Sequence, residues 1–325
     1  MDIEEKHPMF HETSVHLQNK ANFFKISLPK LFDEKYNFEL AERICQIGFK
    51  ASENNREKYF KNVNGLIQLS LDFLKLQVLL EKEGRYLYTT FEEVKKMYES
   101  SEDNGPNYLW GLYFSEVFWK IHCNLTNFFI DEFVEKADKC GTVLEVPIGT
   151  GYYLSEFLLK KINWNGLGID LAKNAVNFAE KICHFNNIEK QRYSIIEKDF
   201  TTYTKQNKFE RIICGEFLEH VEDPVKIMKQ LSNLLTTDGK IFLTAAIWSG
   251  GVDHIYLYEN PKQVRQHISE AGLIIEKELV QPVFDKHKEH PEKGKIPINY
   301  AAVLSKSNKK FSLLNEHENN SIKRI

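Results

Sequence analysis

The sequence has no Cys-x-x-Cys pair, no surplus of positive charge and no uninterrupted apolar run approaching the roughly 18 residues of a membrane span. Its five cysteines, Cys45, Cys123, Cys140, Cys183 and Cys214, are scattered, which argues against a disulfide framework and for a reducing compartment. A net charge of −3 implies no general affinity for nucleic acid or an anionic membrane. The amino terminus is polar and acidic, unlike a signal peptide, so a soluble cytoplasmic protein is expected. What is present is globular: 42% hydrophobic, 27% charged and 13% aromatic over 325 residues, enough for one large domain or two ordinary ones.

Residues 1–20 show no periodicity, and their histidines read as part of a flexible arm. Residues 21–107 read as a mostly helical domain. Within it, the leucine-rich stretch 65–80 has helical spacing and runs into Gly84-Arg-Tyr-Leu-Tyr-Thr89. Alternation there, with Tyr86 and Tyr88 on one face, predicts a short strand and hence a winged-helix-like unit. Few basic residues flank it, so burial at a dimer interface is expected rather than DNA reading. Residues 108–140 are strongly aromatic and suit linker helices, with positions 110, 114, 117, 118 and 121 on one stripe.

From 141 to 305 the pattern alternates strand and helix. Strands are expected at 143–146, 166–169, 193–197, 211–214, 240–245, 273–280 and 299–304, and helices at 153–161, 174–185, 224–235 and 261–271. That is an α/β, Rossmann-like doubly wound sheet. A charged loop at 284–295 reads as solvated surface, and the polar residues 306–325 as a disordered tail.

The stretch Thr142-Val-Leu-Glu-Val-Pro-Ile-Gly-Thr-Gly-Tyr152 reads as a buried strand, a tight turn and a helix start. Gly149 and Gly151 allow a sharp turn and a close backbone approach to a ligand. Carboxylates stand at three successive strand ends: Glu145, Asp170 and Asp199. A carboxylate after the second strand suits ribose hydroxyls, which it accepts through two oxygens. A pyrophosphate ligand would want a third glycine, but Leu154 stands there. A cationic nucleoside without phosphate fits better, and S-adenosylmethionine meets that description.

These segments resemble the class I S-adenosylmethionine-dependent methyltransferases. Leu144-Glu-Val-Pro-Ile-Gly-Thr-Gly151 is similar to their first motif, Gly168-Ile-Asp-Leu171 to the second, Glu197-Lys-Asp-Phe200 to the third, and Cys214-Gly-Glu-Phe-Leu-Glu-His220 to the fourth. The resemblance implies that Glu145, Gly149 and Gly151 face the methionine part and Asp170 the ribose. It places Leu171 and Phe200 beside the adenine, Asp199 on its amino group, and Gly215 at the edge of the cofactor site. Pro147 departs from the pattern, replacing a glycine and removing an N–H donor. The amino-terminal half is more loosely similar to the dimerisation domain of small-molecule O-methyltransferases, which implies a homodimer.

For the acceptor side, Glu216, Glu219 and His220 follow the fourth strand and His254 follows the fifth. Both strand ends face one crevice. Glu216, His220 and His254 are the catalytic candidates, His254 being the preferred general base if no metal is bound. The Glu-x-x-Glu-His run with a later histidine resembles the metal-holding arrangement of ubiquinone-type O-methyltransferases and of RNA 3′-terminal 2′-O-methyltransferases. It would make Glu216, Glu219, His220 and His254 ligands of a divalent ion. The expected function is methyl transfer to a small-molecule acceptor, oxygen first, then carbon or nitrogen. The rivals are an RNA 2′-O-methyltransferase, a sulfonium-using cyclase and a winged-helix nucleoside sensor.

Overall fold

The computed structural model describes residues 3–100, 106–203 and 209–307. Among them, no strand precedes Gly141. The chain first forms α1 (Ile3–Lys6), α2 (Pro8–Lys20), α3 (Asn22–Ser27), α4 (Phe38–Ala51), α5 (Arg56–Glu83), α6 (Phe91–Ser100), α7 (Pro106–Phe118) and α8 (Lys120–Phe129), followed by a π-turn at Ile130–Val134. Asparagine caps start the two central helices: Asn37 accepts from the Leu40 N–H and Asn55 from the Lys58 N–H.

Residues 3–20 are not a mobile arm. Phe10 and Leu17 are buried, the Phe10 N–H donates to the Glu42 carboxylate at 2.8 Å, and the Thr13 and Tyr59 hydroxyls meet at 2.6 Å. The weak period arises because α2 is held by polar side chains as well as by an apolar stripe. Residues 108–140 are likewise no mere linker. The aromatic stripe is core, with Trp110, Tyr113 and Phe114 buried and Trp110 packed edge-on against Phe178 of the sheet-bearing half at 4.7 Å.

The leucine-rich helix α5 extends to 28 residues, and by length and composition it could cross a bilayer, although only a third of its most apolar window is buried. Asp72 and Lys75 interrupt that window, which is why the sequence shows no continuous apolar run. The helix crosses α7 backbone to backbone: a Cβ on Gly65 would lie 2.1 Å from the Asn107 carbonyl, and one on Gly111 would lie 2.6 Å from the Gly65 carbonyl. Gly84 ends α5 in the left-handed conformation at φ 68°. The predicted wing does not form. Residues 85–90 make no strand, because Tyr86 turns inward and its hydroxyl donates to the Ser249 carbonyl at 2.9 Å.

The second half builds β1 (Gly141–Glu145), α9 (Tyr152–Lys160), β2 (Trp164–Asp170), α10 (Lys173–Phe185), β3 (Tyr193–Glu197), β4 (Phe209–Cys214), α11 (Pro224–Leu234), β5 (Leu235–Ile247), α12 (Pro261–Glu270), β6 (Leu273–Pro282) and β7 (Ile298–Lys306). Their order is β3-β2-β1-β4-β5-β7-β6. Strands β1 to β5 pair in parallel, and β7 lies antiparallel between β5 and β6. This is the expected doubly wound sheet. Strand β5 starts at Leu235, earlier than expected, taking in the turn residues before Lys240. The expected disordered tail falls, beyond Ser307, outside the described residues. Strand order reverses between β1 and β4, so a ligand crevice opens above their carboxyl ends. The helical half is fastened to this layer by Arg43 of α4. Its guanidinium donates to both Glu156 carboxylate oxygens of α9, at 2.8 and 2.7 Å, and to Asn186 at 2.8 Å.

Candidate active site

On the β1 side, the turn at 146–151 is held by backbone bonds. The Ile148 N–H donates to Ile169 O at 2.8 Å and the Gly151 N–H to Ile148 O at 2.7 Å. Both glycines take left-handed φ, 50° at Gly149 and 70° at Gly151, but they differ in what surrounds them. A Cβ on Gly151 would come within 2.7 Å of the Ala179 side chain, so Gly151 serves helix packing against α10. A Cβ on Gly149 would meet nothing within 4 Å, so Gly149 is the glycine that faces open space.

The three strand-end carboxylates are where expected but already partly engaged. Glu145 is buried, and one of its oxygens accepts from the Leu154 N–H at 2.8 Å, in the first turn of α9. Burial nonetheless holds its carboxyl well above the usual range, with Glu116 and Asp170 adding like charge. Asp170 accepts the Gly149 N–H at 3.0 Å on one oxygen and the Ala172 N–H at 2.9 Å on the other. Burial raises it too, and these backbone bonds oppose that rise. A carboxylate has about four lone-pair sites, so acceptor capacity remains on each oxygen. Asp199 spends one oxygen on Thr201, accepting its N–H at 2.8 Å and its hydroxyl at 2.7 Å. Leu171 is 51% exposed, while Phe200 is buried and meets Phe217 edge-on.

Across the reversal point, Gly215 leaves room: the nearest atoms to a Cβ there, Thr244 Oγ1 and a Tyr153 ring carbon, are 3.7 Å away. Glu216 takes a left-handed φ of 45°, fixed by its N–H donating to Thr244 Oγ1 at 2.9 Å. Glu219 has no exposed surface; neither of its carboxylate oxygens meets a donor in full hydrogen-bond geometry, but the Glu216 carboxyl and the Ala246 backbone lie beside it. Glu216 Oε1 is also buried without a partner. Burial raises both carboxyls, and the two are close enough to couple.

The two imidazoles are each held through Nδ1. His220 Nδ1 lies 3.2 Å from the Asp253 carbonyl, and His254 Nδ1 lies 3.1 Å from the Ser249 carbonyl. A carbonyl only accepts, so each Nδ1 is assigned the proton, leaving Nε2 of the neutral ring with its lone pair. The rings meet edge to face at 4.9 Å. Burial lowers the His254 imidazole to about 4, with His220 next in effect, so at neutral pH it is uncharged. Ligand atoms of Glu219, His220 and His254 all lie within 4.8 Å of one another. Of the four expected ligands, three therefore converge, and Glu216 borders them.

Two adjoining buried carboxyls beside two neutral imidazoles fit a divalent cation. Three protein ligands of this mixed type also leave coordination positions for an acceptor. As a general base, by contrast, His254 would give little driving force near neutrality.

The tertiary structure adds residues that the sequence reading did not assign to the site. Asp253, through its backbone carbonyl and a carboxylate oxygen at 3.5 Å, and Tyr86, with its hydroxyl 3.3 Å from His254 Nδ1, orient the two histidines. Tyr108 of α7 is 39% exposed, yet burial raises its hydroxyl, with Asp253, Glu216 and Glu219 adding to the rise. Glu116 is raised mainly by burial and then by Glu216 and Glu156. Its one sequence signal is a carboxylate inside the aromatic run 108–119.

Residues 123–271 match the family described as a methyltransferase domain. The chain is 30% identical over 109 residues to a ubiquinone biosynthesis O-methyltransferase of Neisseria meningitidis serogroup A, which covers 33% of this chain and 45% of that protein. It is 31% identical over 116 residues to the protein of the same name from Hydrogenovibrio crunogenus, covering 36% and 46%. The chain thus spans about half the length of the curated relatives it matches. Among solved structures it is similar to the mitomycin 7-O-methyltransferase MmcR, with a TM-score of 0.50, 10% identity, and coverage of 73% of this chain and 68% of that one. At that identity the likeness is one of fold.

Proposed function

We propose that this chain, which belongs to the class I methyltransferases through its domain at residues 123–271, transfers the methyl group of S-adenosylmethionine to an oxygen of a small-molecule acceptor. The observation that carries the acceptor reading is the cluster Glu219, His220 and His254, placed across the strand reversal from the glycine turn.

On the donor side, the open Gly149 backbone admits the ligand, and Glu145 and Asp170 present carboxyl oxygens at the strand ends on either side of that turn. Asp170 has lone pairs left for ribose hydroxyls, and Asp199 has a second oxygen for the adenine amino group. Methyl transfer is an in-line displacement, so the protein's chief task is alignment. On the acceptor side, Glu219, His220 and His254 would hold a divalent ion, which when bound supplies Lewis acidity toward an acceptor hydroxyl. Glu216 stands beside them, where it can take the hydroxyl proton.

Calorimetric titration with S-adenosylmethionine tests the donor; absence of binding by folded protein would overturn it. Elemental analysis of protein purified without added metal, with methylation of a catechol probe before and after chelation, tests the acceptor side. Bound metal together with loss of turnover on chelation is expected. A metal-free protein with undiminished turnover would remove the ion and leave His254 as the base. A homodimer belongs to this reading. The exposed stripe Leu71, Leu74 and Val78 on α5 supports it, and light scattering tests it.

A further inference from the structure

The geometry points to Tyr86 and Gln77, both supplied by the helical half, as positioning residues that set the orientation of His254. The inference rests on the reading of His254 as an acceptor-site residue.

His254 lies in the loop that follows β5, whose base is closed by the Trp248 N–H donating to Tyr258 O at 2.8 Å and whose far side is tied to Glu219 O by the Ile255 and Tyr256 N–H groups at 2.8 and 3.0 Å; the stretch 249–251 that precedes His254 is held from the helical half. Gly250 lies directly on the α5 backbone, where a Cβ would fall 2.5 Å from the Gln77 nitrogen and 2.5 Å from the Leu76 carbonyl carbon. The Gly250 N–H, buried by this approach, donates to Gln77 Oε1 at 2.9 Å. Gln77 is only 3% exposed, and its own amide donates to Glu81 at 3.3 Å, one turn further along α5. The amide thus has its oxygen turned to the loop and its nitrogen to its own helix.

One residue earlier, the Ser249 carbonyl accepts the Tyr86 hydroxyl at 2.9 Å and His254 Nδ1 at 3.1 Å. The Tyr86 ring meets the His254 ring edge to face at 5.3 Å, and Tyr86 is 6% exposed. A single carbonyl is therefore fixed from the helical half and in turn fixes the imidazole. Gly251 closes the arrangement: a Cβ there would lie 2.3 Å from the His254 ring, so the ring is folded back flat over the loop backbone. The reach of Tyr86 depends on Gly84, whose left-handed φ of 68° ends α5 and turns the chain toward the sheet. In sequence, this segment reads as a wing. In three dimensions, it is the support of a side chain some 170 residues away.

Three substitutions isolate the effect. Tyr86→Phe removes one hydroxyl and keeps the ring. Gln77→Ala strips the Gly250 N–H of its partner, and Gln77→Glu gives it back an acceptor. The readout is the two-bond ¹⁵N–¹H pattern of the histidine rings in full-length, chelator-treated protein, with His254 assigned from His254→Ala. Wild type and Gln77→Glu should show His254 as a single tautomer protonated at Nδ1. Gln77→Ala should lose that single-tautomer pattern, Tyr86→Phe should shift it, and the His220 signal should stay in place in both. Titration with Co²⁺ alone should weaken about tenfold in Gln77→Ala, the usual cost of removing an outer support. An unchanged His254 pattern in both Tyr86→Phe and Gln77→Ala would overturn the assignment. The ring spectra report on His254 whether or not the protein binds S-adenosylmethionine, so a failed cofactor titration and a failed positioning role are distinguishable.

Discussion

Arg43→Met should destabilise the protein while sparing its cofactor site. Arg43 is the cationic partner of Glu156, whose side chain is only 5% exposed, and the two belong to different halves of the molecule. Removing one member of a fully buried pair typically costs about 3–5 kcal/mol, because the other charge is left unpaired in a poor solvent. The Arg43 side chain is 35% exposed, so water can reach the vacated position and part of that cost is recovered. The Asn186 side-chain oxygen loses its donor as well. A loss of about 2 kcal/mol is the resulting expectation. For a chain of 325 residues, that corresponds to roughly 3 °C in midpoint. Urea unfolding followed by circular dichroism measures it. The double variant Arg43→Met/Glu156→Met should recover much of the loss, since two apolar groups replace both charges. Titration with S-adenosylmethionine should be unaffected. A change below about 0.5 kcal/mol in Arg43→Met, no larger than that of an ordinary surface substitution, would refute the view that this pair fastens the helical half to the sheet.

Gly149→Ala and Gly151→Ala should separate binding from folding. The first pays only the left-handed backbone cost of about 1–2 kcal/mol but should weaken S-adenosylmethionine at least tenfold by calorimetry, whereas the second also drives its Cβ into Ala179 and should lower the melting temperature more. Glu116 carries a pH signature. Its folded carboxyl is raised above 4.5, so the folded state holds the proton longer than the unfolded chain, and stability falls as pH rises from 4.5 toward the raised value. Glu116→Gln should remove that decline, being more stable than wild type at pH 8 and no more stable near pH 4; parallel stability curves would count against a buried carboxyl. Glu219→Gln should abolish any metal found by elemental analysis while leaving S-adenosylmethionine binding intact, and retention of the ion would take Glu219 out of the ligand set.

The sequence was most legible where local rules and burial agree. Strands that lie between neighbours in a parallel sheet must be apolar through their length, and the turns after them need glycine and carboxylates, so the elements of 141–305 could be laid out to within two residues, β5 excepted. Gly149, Asp170 and Asp199 are visible for the same reason: each is tied to a strand end a few residues away. The helical half was less legible. Polar contacts such as Thr13 to Tyr59 and Phe10 to Glu42 join helices more than 30 residues apart, and no periodicity records them. Tyr86 and Tyr88 alternate as a strand would, but a strand needs a partner, and Tyr86 instead spends its hydroxyl on Ser249.

By itself, the sequence determined the sheet, the glycine turn after β1 and the identity of the candidate ligands, because these follow from short-range spacing. Only the tertiary structure decided which of those ligands meet. It brings Glu219, His220 and His254 together and buries the Glu219 carboxyl beside that of Glu216. It also decided that Gly151 packs against Ala179 while Gly149 faces open space, and that the helical half reaches the loop of His254 through Gln77 and Tyr86. Those outcomes depend on the approach of backbones far apart in sequence, and a Gly250 lying against Gln77 is encoded only in the packing of one half on the other.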